Sequence, residues 1–260
     1  MEKIKKYINS EYLKEHLNVV ILGILILIFL VATLIYFLIS RNVSKIEKDK
    51  IINDTTPYIN YLEDIENSKS KDIDKYIIYT LDYFTYEKGQ NSLKTEEISN
   101  FINDTFNKKV SKDDIKNFGI NPAMLEKNIV YNIENDTYSL YRSKTDLRDL
   151  EKKPVVYYKR EKISIYNKKK YKVKYSKYVI DNPLDLLNYV IEYNTKVKKQ
   201  ENEIDINNLR EYLQTGNVSK IKTFLNENDF ILKKYTKKKK TVKITYKVTD
   251  DNSFKIYKIK

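Results

Sequence analysis

Residues 170–175 read Lys-Tyr-Lys-Val-Lys-Tyr, and residues 242–248 read Val-Lys-Ile-Thr-Tyr-Lys-Val. Apolar or aromatic side chains alternate with lysine in both. A period of two is that of a β-strand with one buried face and one wet face. Tyr171, Val173 and Tyr175 point one way, and Lys170, Lys172 and Lys174 the other. Val242, Ile244, Tyr246 and Val248 alternate in the same way with Lys243, Thr245 and Lys247. Strand signals around these runs lie at 155–158, 163–166, 171–179, 230–235, 241–249 and 254–259, with a turn at Asp250-Asp251-Asn252. Between them, Asn182–Pro183 opens an apolar helix carrying Leu184, Leu186, Leu187, Val190 and Ile191. Two shorter helices follow: one carries Ile206, Leu209 and Leu213 and ends near Gly216, and the other starts at Asn217 and carries Ile221, Phe224 and Leu225. Strands, helices, then strands predict an α+β layer over 151–260, with helices on one face of an antiparallel sheet.

Upstream, Ile73, Tyr76, Ile77, Thr80, Leu81 and Phe84 follow the spacing of a buried helix face, with Gly89 placed as a C-terminal cap. A second helix starts after Thr95 and buries Ile98, Phe101, Ile102 and Phe106. A third starts at Ser111, with Asp114 at capping-box spacing, and stops at Gly119. After a short helical turn at Asn121–Pro122, strand-like runs at 129–133 and 137–142 form a hairpin. Three helices and a hairpin over 72–150 resemble the order of a winged-helix module. A DNA-reading helix needs Lys or Arg to meet phosphates. This third helix opens with Asp113 and Asp114, so a structural role is expected of the module.

The segment 17–40 holds 24 residues without a charge, of which 18 are Leu, Ile, Val or Phe. At ~1.5 Å per residue it spans roughly 36 Å, enough for a hydrocarbon core of ~30 Å. Insertion is favoured by something on the order of 5 to 10 kcal/mol. The run is longer than a signal-peptide core and no A-x-A pattern follows it, so an uncleaved anchor is expected. Residues 1–16, with Ile4, Ile8 and Tyr12 at helical spacing, then form a short cytoplasmic tail and an interfacial helix. Residues 41–71 are expected as a stalk. Lys3, Lys5, Lys6 and Lys14 before the span nearly balance Arg41, Lys45, Lys48 and Lys50 after it. The expected orientation keeps the short tail inside and the large portion outside the plasma membrane.

Composition narrows the chemistry. The chain has no Cys, and its single His is His16, next to the span. Disulfides, thiolate sites, imidazole catalysis and His metal clusters are therefore absent from the portion beyond the span. Gly89, Gly119 and Gly216 are too scattered for a P-loop or dinucleotide turn. Two S-x-x-K matches, Ser68–Lys71 and Ser219–Lys222, are read as chance matches in surface-like contexts. No catalytic residue, metal ligand, cofactor or small-molecule substrate is nominated.

Charge is uneven. Residues 42–150 carry 16 bases and 20 acids, whereas 151–260 carry 28 bases and 13 acids. One explanation is a solvated lysine face that protects a sheet from edge pairing. The other is a surface that meets polyanions, with Lys170, Lys172, Lys174, Lys243 and Lys247 as the contacting residues. The layout is similar in outline to the bitopic scaffold subunits of bacterial secretion and conjugation machines. Two functional readings follow. The first is a non-enzymatic, membrane-tethered interaction or assembly module on the outer face of the membrane, with protein partners in the envelope. The second is a cytoplasm-facing binder of nucleic acid or anionic lipid through the lysine-rich sheet.

Overall fold

The structure, a computed structural model, describes residues 10–41, 48–51, 59–65, 72–167, 169–196, 204–250 and 253–260. The chain divides into two compact units, Met1–Ser44 and Lys45–Lys260.

In the first unit the described residues form helix α1 (Ser10–Arg41). Its segment Val19–Phe37 is long and apolar enough to cross a membrane, and its side chains are exposed. Length and apolarity of this kind fit an anchor and a signal sequence alike. The expected interfacial helix falls largely on residues 1–9, outside the described residues.

The second unit holds two antiparallel sheets. Helix α2 (Ile73–Tyr83) buries every residue from Tyr76 to Tyr83 and passes into a π turn, Phe84–Lys88. Gly89 closes it at φ 73°, a left-handed position that glycine adopts without strain. Strand β1 (Ser92–Lys94) leads into α3 (Thr95–Thr105), followed by α4 (Lys112–Phe118) and α5 (Pro122–Glu126). The capping box at α4 forms as the sequence suggests: Ser111 Oγ accepts from the Asp114 amide at 3.1 Å, and the Ser111 amide donates to Asp114 at 2.8 Å. The hairpin is β2 (Ile129–Asn132) and β3 (Thr137–Leu140), and β3 sits centrally in the order β1-β3-β2. Tyr138 at its centre is fully buried and donates to the carbonyls of Ile115 and Gly119, so the hairpin is fastened to α4. β1 is too short to leave a sequence pattern, and its pairing with β3 alone reveals it.

The larger sheet is a meander in the order β4-β5-β6-β7. β4 (Val155–Asn167) is one strand where the sequence suggests two. A register shift between Arg160 and Lys162 explains the break, since the bulge interrupts the alternation without ending the strand. β5 (Lys170–Ile180) is followed by α6 (Pro183–Lys196), α7 (Ile206–Thr215), α8 (Val218–Glu227) and α9 (Asp229–Tyr235). The chain returns as β6 (Lys237–Val248) and β7 (Phe254–Ile259). Residues 230–235, expected as a strand, belong to α9. A short apolar run does not distinguish helix from strand. The bond from the Ile231 amide to the Asn228 carbonyl, 3.0 Å, starts a helical turn that buries Ile231 against the other helices.

The two faces of this sheet are used differently. Ile180, Tyr178 and Tyr157 join Leu186, Leu187, Leu209 and Leu225 in a core under α6 to α9. On the opposite face Tyr158, Val173, Tyr175, Ile244 and Tyr246 are buried. The first half of the unit meets this sheet: Lys177 reaches Glu63 at 3.3 Å, and Phe106 bridges to Ile256 on β7. Helical elements therefore meet the sheet from more than the single face expected. Within the expected stalk, Ile51, Ile59, Leu62 and Ile65 are buried, and the described residues 48–51 and 59–65 fall in the second unit.

Candidate polyanion-contacting face

The even-numbered residues of β5 share one face of the sheet. Ile180 and Tyr178 lie at the end packed by the helices, and Ser176 is fully buried at the border. Beyond it come Lys174, Lys172 and Lys170. Strand pairing extends this into ranks. Lys174 lies opposite Lys162 of β4 on one side and Lys243 of β6 on the other. Lys172 lies opposite Ser164 and Thr245, and Thr245 lies opposite Lys258 of β7. Lys170 lies opposite Lys247, which lies opposite Lys255. Neighbouring strands are ~4.8 Å apart. Like charges directly opposite one another are destabilising. All five nominated lysines thus share one face, and Lys162 and Lys258 join them.

Their surroundings differ. Lys243, Lys247, Lys162 and Lys258 are exposed, with no acidic partner among the described residues. Lys170 lies 4.0 Å from the ring centre of Tyr257, a half-exposed cation–π contact. Lys172 is half-buried. Lys174 is paired with Glu161 at 2.5 Å. Glu161 is the bulged residue of β4. It also pairs with Lys238 at 2.5 Å and accepts from the Ser176 hydroxyl. These donors, Lys174 first, hold its carboxyl at about 2, well below the usual carboxylate range. Nearby, Asp181 meets both Lys237, at 2.9 Å, and Lys239, at 3.4 Å. The charge of the run 237–240 is therefore partly answered within the unit. Sequence reasoning missed Lys162, Lys258 and Glu161, because their membership depends on register and on one bulge.

The tyrosines interleaved with these lysines fall on the other face. Tyr175 and Tyr246 are buried, and Tyr171 packs edge-on against Phe254, with ring centres 5.9 Å apart. Tyr257 lies beside the lysine face, with Lys170 over its ring.

A second polar cluster ties the two halves of the unit together. Lys222 of α8, expected at the surface, is half-buried, with its Nζ 3.3 Å from Asn60 Oδ1. Asn60 in turn donates to Glu87 at 3.0 Å, and the Tyr61 hydroxyl donates to the same oxygen at 3.1 Å. Burial pulls the Lys222 pKa down, Glu87 opposes that, and Arg160 adds to it. Burial and the Glu87 carboxylate push the Tyr61 phenol up. Beside this cluster a cleft of about 290 Å³ is lined by residues including Tyr86, Lys127, Arg142 and Gln214. Lys127 pairs with Asp82 at 2.9 Å, Arg142 donates to the Thr85 carbonyl and lies over Tyr86, and Lys153, also in the lining, donates to the Thr145 hydroxyl at 3.2 Å. The other S-x-x-K match, Ser68–Lys71, lies outside the described residues. Among the described residues, no group of three His, Cys, Asp or Glu side chains is placed to hold a metal ion. No protein-family model matches this chain, and no match is found among curated proteins or solved structures.

Proposed function

We propose that this chain is a single-pass, membrane-anchored interaction module that uses the lysine face of its four-stranded sheet to meet a polyanionic surface. The observation that carries the reading is the set of exposed cations on one face: Lys162, Lys243, Lys247 and Lys258 sit in cross-strand ranks without acidic partners among the described residues. A face that only needed to stay soluble would intersperse both signs. The span in α1 supplies the anchor, and the body lies outside the plasma membrane in this reading. The β1-β3-β2 module serves as a winged-helix-like structural part, because its α4 presents Asp113 and Asp114 where a DNA reader would present cations. The function is non-enzymatic, with partners in the envelope.

A single-stranded nucleic acid is the less favoured polyanion. Such binders stack bases on exposed aromatic rings, and Tyr175 and Tyr246 are buried on the opposite face. Among the described residues, the ranks of the lysine face contain no arginine fork for paired phosphate or base contacts.

The test is binding of the full chain, held in neutral nanodiscs, to a soluble linear polyphosphate across a salt series. The expected result is affinity that falls steeply with salt. The double variant Lys243→Gln, Lys247→Gln should reduce the slope by about two, one per lost contact. Salt-insensitive binding, or a slope unchanged in the variant, refutes the reading.

A further inference from the structure

Three donors converge on one carboxylate at the border between the lysine face and the helix-packed end of the sheet. Lys174 and Lys238 each approach Glu161 to 2.5 Å, and the Ser176 hydroxyl donates to it. Lys174 and Ser176 come from β5 and Lys238 from β6, so adjacent strands fix the cluster. Ser176 is fully buried, an unusual place for a hydroxyl unless it serves a specific acceptor. Glu161 reaches the cluster because the β4 bulge adds a residue there. Two ammonium groups and a hydroxyl around one oxyanion are also what a phosphate-type group requires.

We propose that Lys174, Lys238 and Ser176 form an oxyanion site for a phosphate group, which the Glu161 carboxylate occupies as an internal stand-in until an external phosphate displaces it. The proposal rests on the reading of this face as a polyanion-contacting surface and adds regulation to it. Glu161 divides the face into a masked part and the open ranks of Lys162, Lys243, Lys247 and Lys258. A ligand with isolated weak charges meets only the open ranks. A phosphate-bearing ligand of high local charge competes for the masked donors as well. An internal competitor acts at the high effective concentration of an attached group.

The experiment compares inorganic pyrophosphate binding by the full chain in neutral nanodiscs, read by ³¹P NMR titration, for wild type, Glu161→Gln, and Glu161→Gln combined with Lys174→Gln. Glu161→Gln keeps the side chain's shape and removes its charge. It is expected to tighten pyrophosphate binding by about tenfold, the effect of removing an attached competitor, and Lys174→Gln is expected to abolish the gain. Glu161→Ala is the second variant, and it should show the same gain with the far-UV circular dichroism unchanged. Unchanged affinity in both folded Glu161 variants overturns the proposal, and so does a gain that survives Lys174→Gln. The failure is separable from that of the broader reading, because polyphosphate binding through Lys243 and Lys247 is read independently of Glu161. Two further arms identify the source of the phosphate. A gain toward soluble polyphosphate in neutral discs supports the proposal with a polymer ligand. A gain seen as closer approach of the sheet to phosphatidylglycerol discs supports it with a lipid headgroup.

Discussion

The hydroxyls of Tyr175 and Tyr246 lie 3.3 Å apart on the buried face of the four-stranded sheet. Each comes from a strand in which tyrosine alternates with lysine, and the pair places both tyrosines in the core. In the proposed reading these rings serve packing, and contact with a polyanion falls to the lysines of the other face. Tyr246→Ala removes a fully buried ring, and a loss of about 3–5 kcal/mol is expected. Tyr246→Phe removes only the hydroxyl and should cost about 1 kcal/mol. Urea unfolding of the body reads both. Polyphosphate affinity of Tyr246→Phe should equal that of wild type, and a weakened affinity would place the ring in the binding surface.

The faces of this sheet were legible from alternation within 170–175 and 242–248, where every second residue is apolar or aromatic. The capping box at Ser111 and Asp114 was legible for a similar reason, as both partners lie within one helical turn. Other features depend on distant partners. Lys222 stands 162 positions from Asn60 in sequence, so its burial left no local trace. The three residues of β1 are a strand only because β3 lies beside them. Glu161 looked like one acid in a broken strand, and only the bulge and the register with Ser176 and Lys238 show where its carboxylate goes. The run 230–235 has too few residues for periodicity to decide, and packing under α6 to α8 decided it.

Stability should carry a pH signature from Glu161. Its carboxyl is held at about 2 in the folded protein against an ordinary value of 4.5. A carboxyl depressed by folding contributes stability that is present above the unfolded value and is lost as pH falls through the folded one. The difference in unfolding free energy between wild type and Glu161→Gln should therefore be constant at neutral pH. It should shrink as pH falls from about 4.5 toward about 2. Denaturant titrations of the two proteins across this range test it, and a difference independent of pH would remove the carboxylate from the cluster.

The stretch 59–65 gives a second stability test. Leu62 has 0% of its surface exposed, although it lies where the sequence suggests a stalk. Leu62→Ala should cost about 2–5 kcal/mol through lost burial and a residual cavity. A substitution in a solvated linker would change stability by less than about 0.5 kcal/mol. Urea midpoints of the body separate the two, and a value within the linker range would detach this segment from the core.

Orientation decides which polyanions the lysine face can reach. The flanks of the span carry nearly equal positive charge, so the positive-inside rule barely discriminates. The body is expected outside. Asn100, exposed on α3, is a suitable reporter because the chain has no natural cysteine to compete with it. Intact cells expressing Asn100→Cys should label with a membrane-impermeant maleimide to the same extent as lysed cells. That result directs the search to envelope polymers and outer-leaflet lipid, and it excludes intracellular nucleic acid. Labelling only after lysis would place the body inside. The extracytoplasmic assignment would then be wrong, and the ranks of Lys162, Lys243, Lys247 and Lys258 would face inner-leaflet lipid and nucleic acid. Helix α1 also fits a signal sequence by length and apolarity, so the same cells should be fractionated. An anchored chain remains with the membrane after an alkaline wash, whereas a cleaved one is shorter by the span and is released.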